Sequence, residues 1–563
     1  MKMKKYIAVM CAASVLAACS DWDDHYDANP ADTGRATETL WQSIKANPEL
    51  SDFASLAEKA GYADLLSSSQ ALTVWAPVNG SFDVKELQKY DKERLAKEFL
   101  ENHIARNNYT IAGDFSLDVK LLNSKMKTFS NVGGKCTMGD LSVSKTNQPG
   151  TNGVLHLLNG QLSFFPNVYE TLTNENGPID SISDYIHDHD AFELDLLKST
   201  PGPVVDGEIT YLDSVFIQSN TLFWSYDSHI FREDSSYTMI VPTNDAWAKA
   251  KAKIEPYYNY LPQFKYYNYL KPNVAENSLY TEESVEMDAA YMRDSLIHQS
   301  LMSDLFYNNK YEQNGKVFGK NYKAGTLTDN DSVCSTTGSI IYGSDIDALL
   351  EGSEYLERSN GNAYIVDSLR MRPWTSWCPV VNAEFGRALT HPQYGSLSRG
   401  PLSSPLFSRG DYYELTPETS VSNPLVAVRL NDVRSATYAV YVIVVPNFLV
   451  PVEERLPNRI RMTVNYTDNK GGLKSSRLGS NLTNDVSKVD TLYYGDFTFP
   501  VCTAMTGYAP YIVLQSYAGA GAAGFDRTLR FDKVMLVPKE LDDYMKEHPD
   551  YKPGLDASNA YRY

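Results

Sequence analysis

Apolar runs that stop at a proline mark two corresponding places in the chain. Residues Leu72–Phe82 read LTVWAPVNGSF, and residues Tyr237–Trp247 read YTMIVPTNDAW. A short, continuously apolar run is typical of a buried strand, and a proline has no N–H group to continue a ladder of hydrogen bonds. Each stretch therefore predicts a buried strand that ends at Pro77 or Pro242.

Each predicted strand leads directly into a predicted helix. Asn79 and Asn244 follow the prolines by two positions. Asparagine is a good helix N-cap because its side-chain oxygen accepts a hydrogen bond from an N–H group of the first turn. Phe82 and Trp247 come three positions later, where the first turn can direct an aromatic ring into the core. The two stretches predict the same strand-to-helix corner.

A matching strand lies downstream of each corner. Residues Thr151–Leu158 read TNGVLHLL and residues Ser359–Asp367 read SNGNAYIVD, so that an Asn-Gly turn opens each strand. Taken in order, corner and closing strand resemble the fasciclin domain family, whose hallmarks are a strand reading roughly TVFAPTNxAF and a later strand reading NGVVHVID. The resemblance implies two tandem fasciclin-like domains of α+β fold.

The two closing strands depart from the family pattern in opposite ways. The first keeps the histidine, His156, and lacks the acid. The second has Tyr364 in place of the histidine and keeps the acid, Asp367. The function that the resemblance implies for the pair is adhesion or ligand capture.

Two further histidines lie between corner and closing strand. His103 and His298 resemble the histidine of a helix that the family carries at this place. No nucleophile or carboxylate partner accompanies either residue in sequence. We interpret both as structural histidines that hold two backbone segments together, rather than as catalytic groups.

A dense group of histidine and aspartate residues, His187–Asp190, lies within Ser181–Leu197, which we read as an opening helix of the second domain. Four consecutive helical residues point in different directions, and only Asp184 shares a face with His187 or Asp188. Because three metal ligands do not converge locally, we predict a polar helix end and no metal site.

The second predicted domain contains additional sequence that is rich in tyrosine. The motif YYNYL occurs at Tyr257–Leu261 and again at Tyr266–Leu270. Such tyrosines would form a platform for sugar rings or a protein contact. They would equally well pack a helix against its own domain.

After Pro373 the helical periodicity gives way to short strands separated by Gly, Pro, Asn and Ser. Residues Arg459–Tyr466 alternate apolar and polar positions, and Tyr438–Val445 reads as a fully buried strand. Two more strands are predicted at Tyr511–Tyr517 and Arg527–Pro538. The pattern predicts an all-β sandwich of the jelly-roll kind.

The first residues have the pattern of a bacterial lipoprotein signal. Lysines precede the apolar run Tyr6–Leu16, which is too short for a transmembrane helix, and the motif LAAC ends at Cys19. The resemblance implies cleavage before Cys19 and acylation of this cysteine, which would anchor the chain in the outer membrane. Residues Ser20–Asp24 resemble the acidic surface-export tag of lipoproteins in Gram-negative gut anaerobes, and this implies a location on the cell exterior. A periplasmic lipoprotein with an acidic linker is the alternative.

These patterns predict a multidomain chain with five parts. They are a signal peptide (1–18), an acidic tether (19–35), fasciclin-like domain 1 (36–168), fasciclin-like domain 2 with an insertion (169–373) and a β-sandwich domain with a short C-terminal helix and tail (374–563). The length left after removal of the signal suits three or four domains of ordinary size.

Charge and cysteine content restrict the partners. With 51 basic and 70 acidic residues the formal net charge is −19, and without a basic stripe the chain is not expected to bind nucleic acid. Apart from the signal and lipid-site cysteines, Cys136, Cys334, Cys378 and Cys502 are scattered without metal-binding spacing. One disulfide and four separate thiols both remain open.

The sequence lacks the common catalytic motifs, including G-x-S-x-G, H-E-x-x-H and a phosphate-binding glycine loop, so we predict no catalytic residues and no cofactor. The first hypothesis is a non-enzymatic surface lipoprotein for adhesion or ligand binding, with an extracellular glycan or matrix protein as the partner. The second is a scaffold or accessory subunit that binds a partner protein of an outer-membrane uptake complex. The third is a glycoside-active enzyme.

Trp374 and Trp377, at the predicted junction of the second domain and the sandwich, are candidate ligand contacts. Aromatic rings stack on sugars, but each indole would also serve as a core plug at the seam. Large exposed aromatic patches would favour glycan binding, and a broad apolar face would favour the scaffold. Paired carboxylates across a cleft would favour the enzyme.

Overall fold

The computed structural model describes residues 36–172, 177–205, 207–269, 271–273, 275, 278, 280–309, 331–383, 390–401, 411–445, 455–519 and 523–551. The predicted signal peptide, Cys19 and the acidic tether lie outside these residues. The described chain forms two compact units. The first contains the residues up to Phe165 together with Phe192–Ile217, and the second contains Pro166–Ala191 and the residues from Gln218 onward.

Short helices form one layer of the first unit. They are α1 (Leu40–Ala46), α2 (Ser51–Ala60), α3 (Ala63–Ser67), α4 (Val84–Leu87) and α5 (Lys92–Leu95), with 3₁₀ turns at Pro48–Leu50 and Glu101–His103 and a π turn at Ala96–Leu100. Helix α1 begins at a capping box between Thr39 and Gln42. Helix α2 ends at Gly61, whose φ of 79° lies in the left-handed region that glycine adopts readily.

A seven-stranded sheet forms the other layer of the first unit. Its strands are β1 (Leu72–Pro77), β2 (Ile104–Arg106), β3 (Phe115–Lys120), β4 (Met126–Val132), β5 (Lys135–Met138), β6 (Leu141–Gly150) and β7 (Gly153–Leu158), paired in the order β2-β1-β7-β6-β5-β4-β3. Strand β1 is buried throughout. Its Val74 packs among the helices, whereas Trp75 packs on the opposite face against Phe129.

Residues 190–220 form a two-stranded arm instead of the predicted helix. Helix α6 (Asp180–His187) ends at His187, and the arm consists of β8 (Asp190–Leu194), β9 (Thr200–Val205), β10 (Glu208–Asp213) and β11 (Phe216–Asn220). Strand β8 pairs with β11, and β9 pairs with β10. The Asn220 side chain donates to the Ile186 carbonyl at 2.9 Å, so a partner distant in sequence takes up a carbonyl of the last helical turn.

The second unit begins with another mixed helix and sheet layer. Its helices are α6, α7 (Thr221–Ser225), α8 (Asn244–Ile254), α9 (Ala289–Met302) and α10 (Gly343–Leu350), with 3₁₀ turns at Tyr169–Leu172, Glu255–Tyr258 and Pro373–Thr375. Its strands are β12 (Tyr237–Pro242), β13 (Gln263–Asn268), β14 (Thr281–Glu286), β15 (Phe306–Asn308), β16 (Ser332–Cys334), β17 (Ile340–Tyr342), β18 (Glu354–Arg358) and β19 (Gly361–Val366). A four-stranded sheet runs in the order β15-β12-β19-β18.

The two predicted corners have the same strand pairing. In each unit the corner strand runs parallel to the closing strand, with Leu72 opposite Gly153 and Tyr237 opposite Gly361. A Cβ atom on either glycine would lie 1.9 Å from the carbonyl oxygen of the opposite residue. Glycine in the Asn-Gly turn therefore allows this close approach of two backbones.

The asparagine of each Asn-Gly turn binds the start of its own unit. The Asn152 Oδ1 atom accepts the Leu40 N–H at 2.8 Å, and the Asn360 Oδ1 atom accepts the Val168 N–H at 2.8 Å. Each side-chain amide also donates to two carbonyl groups, those of Leu66 and Ser68 in the first unit and of Ile230 and Arg232 in the second. One buried side chain thus satisfies three backbone groups in each unit.

The corner asparagines have a different role from the predicted one. The N-caps of α4 and α8 are Asp83 and Thr243, whose side chains accept N–H groups of the first turn. Asn79 and Asn244 instead reach across to an earlier segment of their own unit. Their Oδ1 atoms accept N–H groups at 3.0 and 2.8 Å, those of Asp52 and Ser181. The N-cap prediction was wrong because it considered only neighbours in sequence.

The C-terminal part of the second unit is the predicted β-sandwich. One antiparallel sheet contains β20 (Val381–Ala383), β22 (Gly395–Pro401), β23 (Asp411–Pro417), β25 (Thr437–Val444), β28 (Asp490–Thr498) and β30 (Leu529–Pro538). The other contains β21 (Thr390–Gln393), β24 (Leu425–Arg429), β26 (Arg459–Thr467), β27 (Leu473–Thr483) and β29 (Tyr511–Ser516). Val442 of one sheet and Val464 of the other lie in a shared core. Helix α11 (Lys539–Glu547) follows.

The tyrosine-rich insertion packs against the sandwich. Tyr267 of β13 and Tyr269, which follows this strand, form a cluster with Ala427 and Tyr511. The Tyr269 hydroxyl accepts a hydrogen bond from the side-chain amide of Asn465 at 2.6 Å. Packing is thus the role of these tyrosines, although on a strand and against the sandwich rather than on a helix within their own domain.

None of the described helices is long and apolar enough to cross a membrane.

Candidate functional site

The two predicted ligand contacts lie in the interior. Trp374 is 6% exposed and Trp377 is 4% exposed, so neither indole offers an open ring face. Trp374 belongs to a small apolar cluster with Leu541, and its Nε1–H donates to the Tyr551 hydroxyl at 3.0 Å. Trp377 belongs to the main core of the second unit. Both tryptophans therefore fit the alternative interpretation from the sequence, in which each indole is a core plug at the seam.

A cavity lies next to Trp374, between the first part of the second unit and helix α11. We call it the seam cavity; its volume is about 710 Å³. Its walls come from α8, α10, the segment Ser368–Trp374 and α11. The volume falls within the range of roughly 300–1,000 Å³ that small-ligand sites occupy.

Helix α8 provides a wall of small and basic residues. Ala246, Lys249, Ala250 and Lys253 line the cavity and occupy positions i, i+3, i+4 and i+7 of one helix face. The alanines leave room for the cavity. Lys253 Nζ lies 3.3 Å from the Met371 carbonyl, so the lysine stem lies along the wall.

Helix α11 provides an acidic wall by the same periodicity. Glu540, Asp543, Tyr544 and Glu547 line the cavity at i, i+3, i+4 and i+7. The Glu540 carboxylate accepts the Tyr257 hydroxyl at 2.8 Å, and burial together with this carboxylate raises the pKa of Tyr257. The α8 wall therefore offers hydrogen-bond donors, and the α11 wall offers hydrogen-bond acceptors.

Arg372 stacks on the aromatic rings beside the cavity. Its Cζ atom lies 4.4 Å from the Tyr544 ring centroid and 5.4 Å from that of Trp374, and its Nε–H donates to Asp345 Oδ1 at 3.0 Å. The His548 ring stacks on Tyr544 with a centroid distance of 4.1 Å. Because other groups cover these rings, the seam cavity does not present a flat stacking platform.

The histidines that the sequence singles out in the first unit have structural roles. His103 Nε2 accepts the Leu162 N–H at 3.0 Å, so its Nδ1–H donates to the Phe99 carbonyl at 2.7 Å. His156 Nδ1 accepts an N–H group, and its Nε2–H donates to the Tyr109 carbonyl at 2.9 Å. Burial lowers the pKa of both imidazoles to about 4. Each is a neutral ring that joins two backbone segments.

His298 and His187 are satisfied by neighbours within the second unit. His298 Nδ1–H donates to the Asp294 carbonyl at 2.8 Å, and the ring stacks on Tyr185. His187 Nδ1 lies 2.8 Å from Asp190 Oδ2, and Tyr169 donates to the same carboxylate at 2.5 Å. No group of three or more metal-ligating side chains converges within the described part of the chain.

The four cysteines within the described residues carry free thiols. Cys378 and Cys502 are buried, whereas Cys136 and Cys334 are partly exposed. Burial raises the pKa of the Cys502 thiol, so it is protonated near neutral pH. Of the two alternatives open from sequence, separate thiols describe this arrangement.

Residues 48–163 match the fasciclin domain family. No sequence among the curated proteins matches the chain. A solved pair of FAS1 domains from the insect cell adhesion molecule fasciclin I is similar at 12% identity and a TM-score of 0.18, over 60% of this chain and 97% of that one. The family match at residues 48–163 confirms the fasciclin assignment of the first predicted domain, and that of the second stays a prediction.

Carbohydrate-binding proteins are also among the similar structures. The CBM22-1 xylan-binding domain from Paenibacillus barcinonensis Xyn10C shows 14% identity and a TM-score of 0.19, over 28% of this chain and 93% of that one. Paenibacillus xanthan lyase shows 14% identity and a TM-score of 0.21, over 32% of this chain and 15% of that one. At this level of similarity, the ligand of the present chain has to be argued from its own residues.

Proposed function

We propose that the chain is a non-enzymatic binding protein of the cell surface, built from two tandem fasciclin-like domains and a β-sandwich, which holds a glycan in the seam cavity. The observation that carries the proposal is the pair of helix faces at the cavity, one with lysines and small residues and the other with carboxylates. The lipid anchor on Cys19 and the outer-membrane location belong to the same proposal and rest on the signal sequence.

The tandem arrangement is supported by the repeated backbone clamps. Both units contain a parallel pair of corner and closing strands with the same register. In both, one asparagine of the closing turn and one of the corner bind the opening segment of the unit. Asn152 and Asn360 form the same set of three hydrogen bonds, although the surrounding sequences differ.

A neutral saccharide suits the seam cavity because of its mixture of charges. Each sugar hydroxyl both donates and accepts hydrogen bonds, so a diol can donate to Glu547 while it accepts from Lys253. An anionic ligand would meet the three carboxylates of α11, and a cationic ligand would meet the lysines of α8. A ligand without net charge avoids both conflicts.

A glycan screen with a matched pair of variants tests this proposal. The soluble chain that starts after Cys19 is screened on a glycan array, and its hits are titrated by calorimetry. The Ala250→Leu substitution fills the cavity from α8, whereas Ala248→Leu adds the same volume on an exposed position of the same helix. We expect Ala250→Leu to weaken binding by at least about ten-fold and Ala248→Leu to leave it unchanged.

Two outcomes would contradict the proposal. If no glycan binds, the seam cavity is not a glycan site. If a glycan binds and both leucine variants bind it equally well, the binding site lies elsewhere on the chain. Loss of surface labelling in a Cys19→Ser variant, measured on intact cells, tests the lipid anchor separately.

The scaffold hypothesis is a second candidate, because the arm of residues 190–220 exposes many apolar side chains. A broad apolar surface is the feature expected of a binding site for a protein partner. The two functions are compatible, since the arm and the seam cavity involve different residues.

A further inference from the structure

The arm of residues 190–220 continues as a single two-stranded ribbon from β8–β11 to β9–β10. Backbone bonds join the two parts, because the Asp195 N–H donates to the Val215 carbonyl at 2.7 Å. In the described part of the chain, these strands pair only with each other, while β10 also contacts helix α3 and the Thr200 hydroxyl donates to the Gln70 side chain. A two-stranded ribbon is marginally stable in water without a third strand or a packing surface.

The arm exposes more apolar surface than an isolated ribbon would be expected to keep in water. Leu197 is 98% exposed and Leu196 is 67% exposed. Apolar side chains with between 36% and 98% of their surface exposed occur along all of the arm, namely Phe192, Leu196, Leu197, Val204, Val205, Ile209, Leu212, Phe216 and Ile217. Single exposed apolar residues are ordinary, but a concentration of this kind marks an interaction surface.

The two edges of the ribbon differ in their ability to accept another strand. Strand β9 contains Pro201 and Pro203, which have no N–H groups, and proline is a common means of blocking a sheet edge. Strand β10 contains no proline within Glu208–Asp213. The edge of β10 therefore has N–H groups along its length that an added strand can bind.

The charge of the arm determines what kind of strand would bind. Residues 190–220 contain six acidic residues and a single lysine. Antiparallel pairing of β10 with a second copy of itself would bring acidic residues close to acidic residues, which is destabilising. A strand with basic side chains between apolar ones would complement both the charge and the exposed apolar surface.

We propose that the edge of β10 binds a β-strand of a partner protein in which apolar and basic residues alternate. The backbone of the partner extends the ribbon to three strands. Its apolar side chains cover exposed residues such as Ile209, and its basic side chains lie close to acidic residues such as Glu208. This surface for a protein partner is independent of the proposed glycan site.

A synthetic peptide of alternating lysine and valine is the probe. Its binding to the soluble chain is measured by fluorescence anisotropy at low and high salt. An otherwise identical peptide with glutamate in place of lysine tests charge, and a version with methylated backbone nitrogens tests strand pairing, since it cannot donate to a sheet edge. We expect both altered peptides to bind at least about ten-fold more weakly than the lysine peptide.

Two matched variants locate the binding surface. Ile209→Asp places a carboxylate on the arm at a residue that is 58% exposed, and Val132→Asp makes the same kind of change at a residue of β4 that is 62% exposed. Neither residue is part of a core, so both variants should fold. Ile209→Asp should weaken binding by at least about ten-fold, whereas Val132→Asp should not change it.

Three results would overturn the proposal. The first is the absence of binding by the lysine peptide, and the second is equal binding of the methylated peptide. The third is dimerisation of the chain, seen in sedimentation at rising concentration and abolished by Ile209→Asp, because the surface would then bind a second copy of this chain.

Discussion

Acidification should destabilise the first unit through its two buried histidines. His103 and His156 are neutral in the folded chain, with pKa values of about 4 compared with an ordinary value of 6.5. Above pH 6.5 the imidazoles are neutral in both the folded and the unfolded state, so they contribute no pH dependence. Between the two pKa values the unfolded state binds protons that the folded state does not, and stability falls as the pH falls.

The size of this effect follows from the two pKa values. At about pH 5 the linkage relation gives a loss of about 2 kcal/mol for each imidazole, or about 4 kcal/mol for the two together. The geometry provides the reason, because a protonated His103 could no longer accept the Leu162 N–H, and a protonated His156 could no longer accept the Asn147 N–H. A loss of this size is a large part of the stability of an ordinary domain.

Hydrogen exchange followed by mass spectrometry measures the loss within the unit concerned. Protection is compared between about pH 7.5 and about pH 5 for peptides from β1 and β7, after correction for intrinsic exchange rates. The His156→Gln variant should lose about half of the pH dependence, because a glutamine does not titrate. His548→Gln, at an exposed ring directly after α11, is the matched control and should keep the full dependence. Unchanged protection of β7 at pH 5, or a full loss that persists in His156→Gln, would refute the reasoning.

Further predictions concern the asparagine clamps and the closing glycines. Asn152→Ala removes three hydrogen bonds of a buried side chain and should lower the free energy of unfolding of the first unit by about 3 kcal/mol. Denaturant titration measures this loss. The control, Asn159→Ala at an exposed position, should have little effect. Gly361→Ala would bring a Cβ to 1.9 Å from the Tyr237 carbonyl oxygen and should prevent β12 from pairing with β19, whereas Gly519→Ala meets no atom within 4 Å and should be neutral in a thermal scan. Retention of the wild-type transition by either first-named variant would contradict the corresponding assignment.

The elements that sequence predicted well are those with a local pattern. The corners at Pro77 and Pro242 stop their strands where the proline lacks an N–H group, and the alternating positions of Arg459–Tyr466 coincide with β26. In each case neighbours in sequence determine the structure.

The features that escaped prediction depend on residues far apart in the chain. Asn79 and Asn244 are not the predicted N-caps, because the side chain of each accepts a hydrogen bond from an N–H group of an earlier segment. The predicted helix over Ser181–Leu197 ended early because β11 pairs with β8. The seam cavity needs four separate segments, and only Trp374 among its lining residues was singled out from sequence. The paired i, i+3, i+4, i+7 faces of α8 and α11 were readable as helix faces, but not as opposite walls.

The clamps of Asn152 and Asn360 also dictate an order of events during synthesis. The first asparagine lies 112 residues after its partner Leu40, and the second lies 192 residues after Val168. The opening segment of the first unit, and that of the helix-and-sheet part of the second unit, therefore cannot dock until nearly all of that part has been synthesised, and closing so long a loop makes for slow folding. A product truncated just before Asn152 or Asn360 would lack the side chain that holds the opening segment, and that segment would stay undocked.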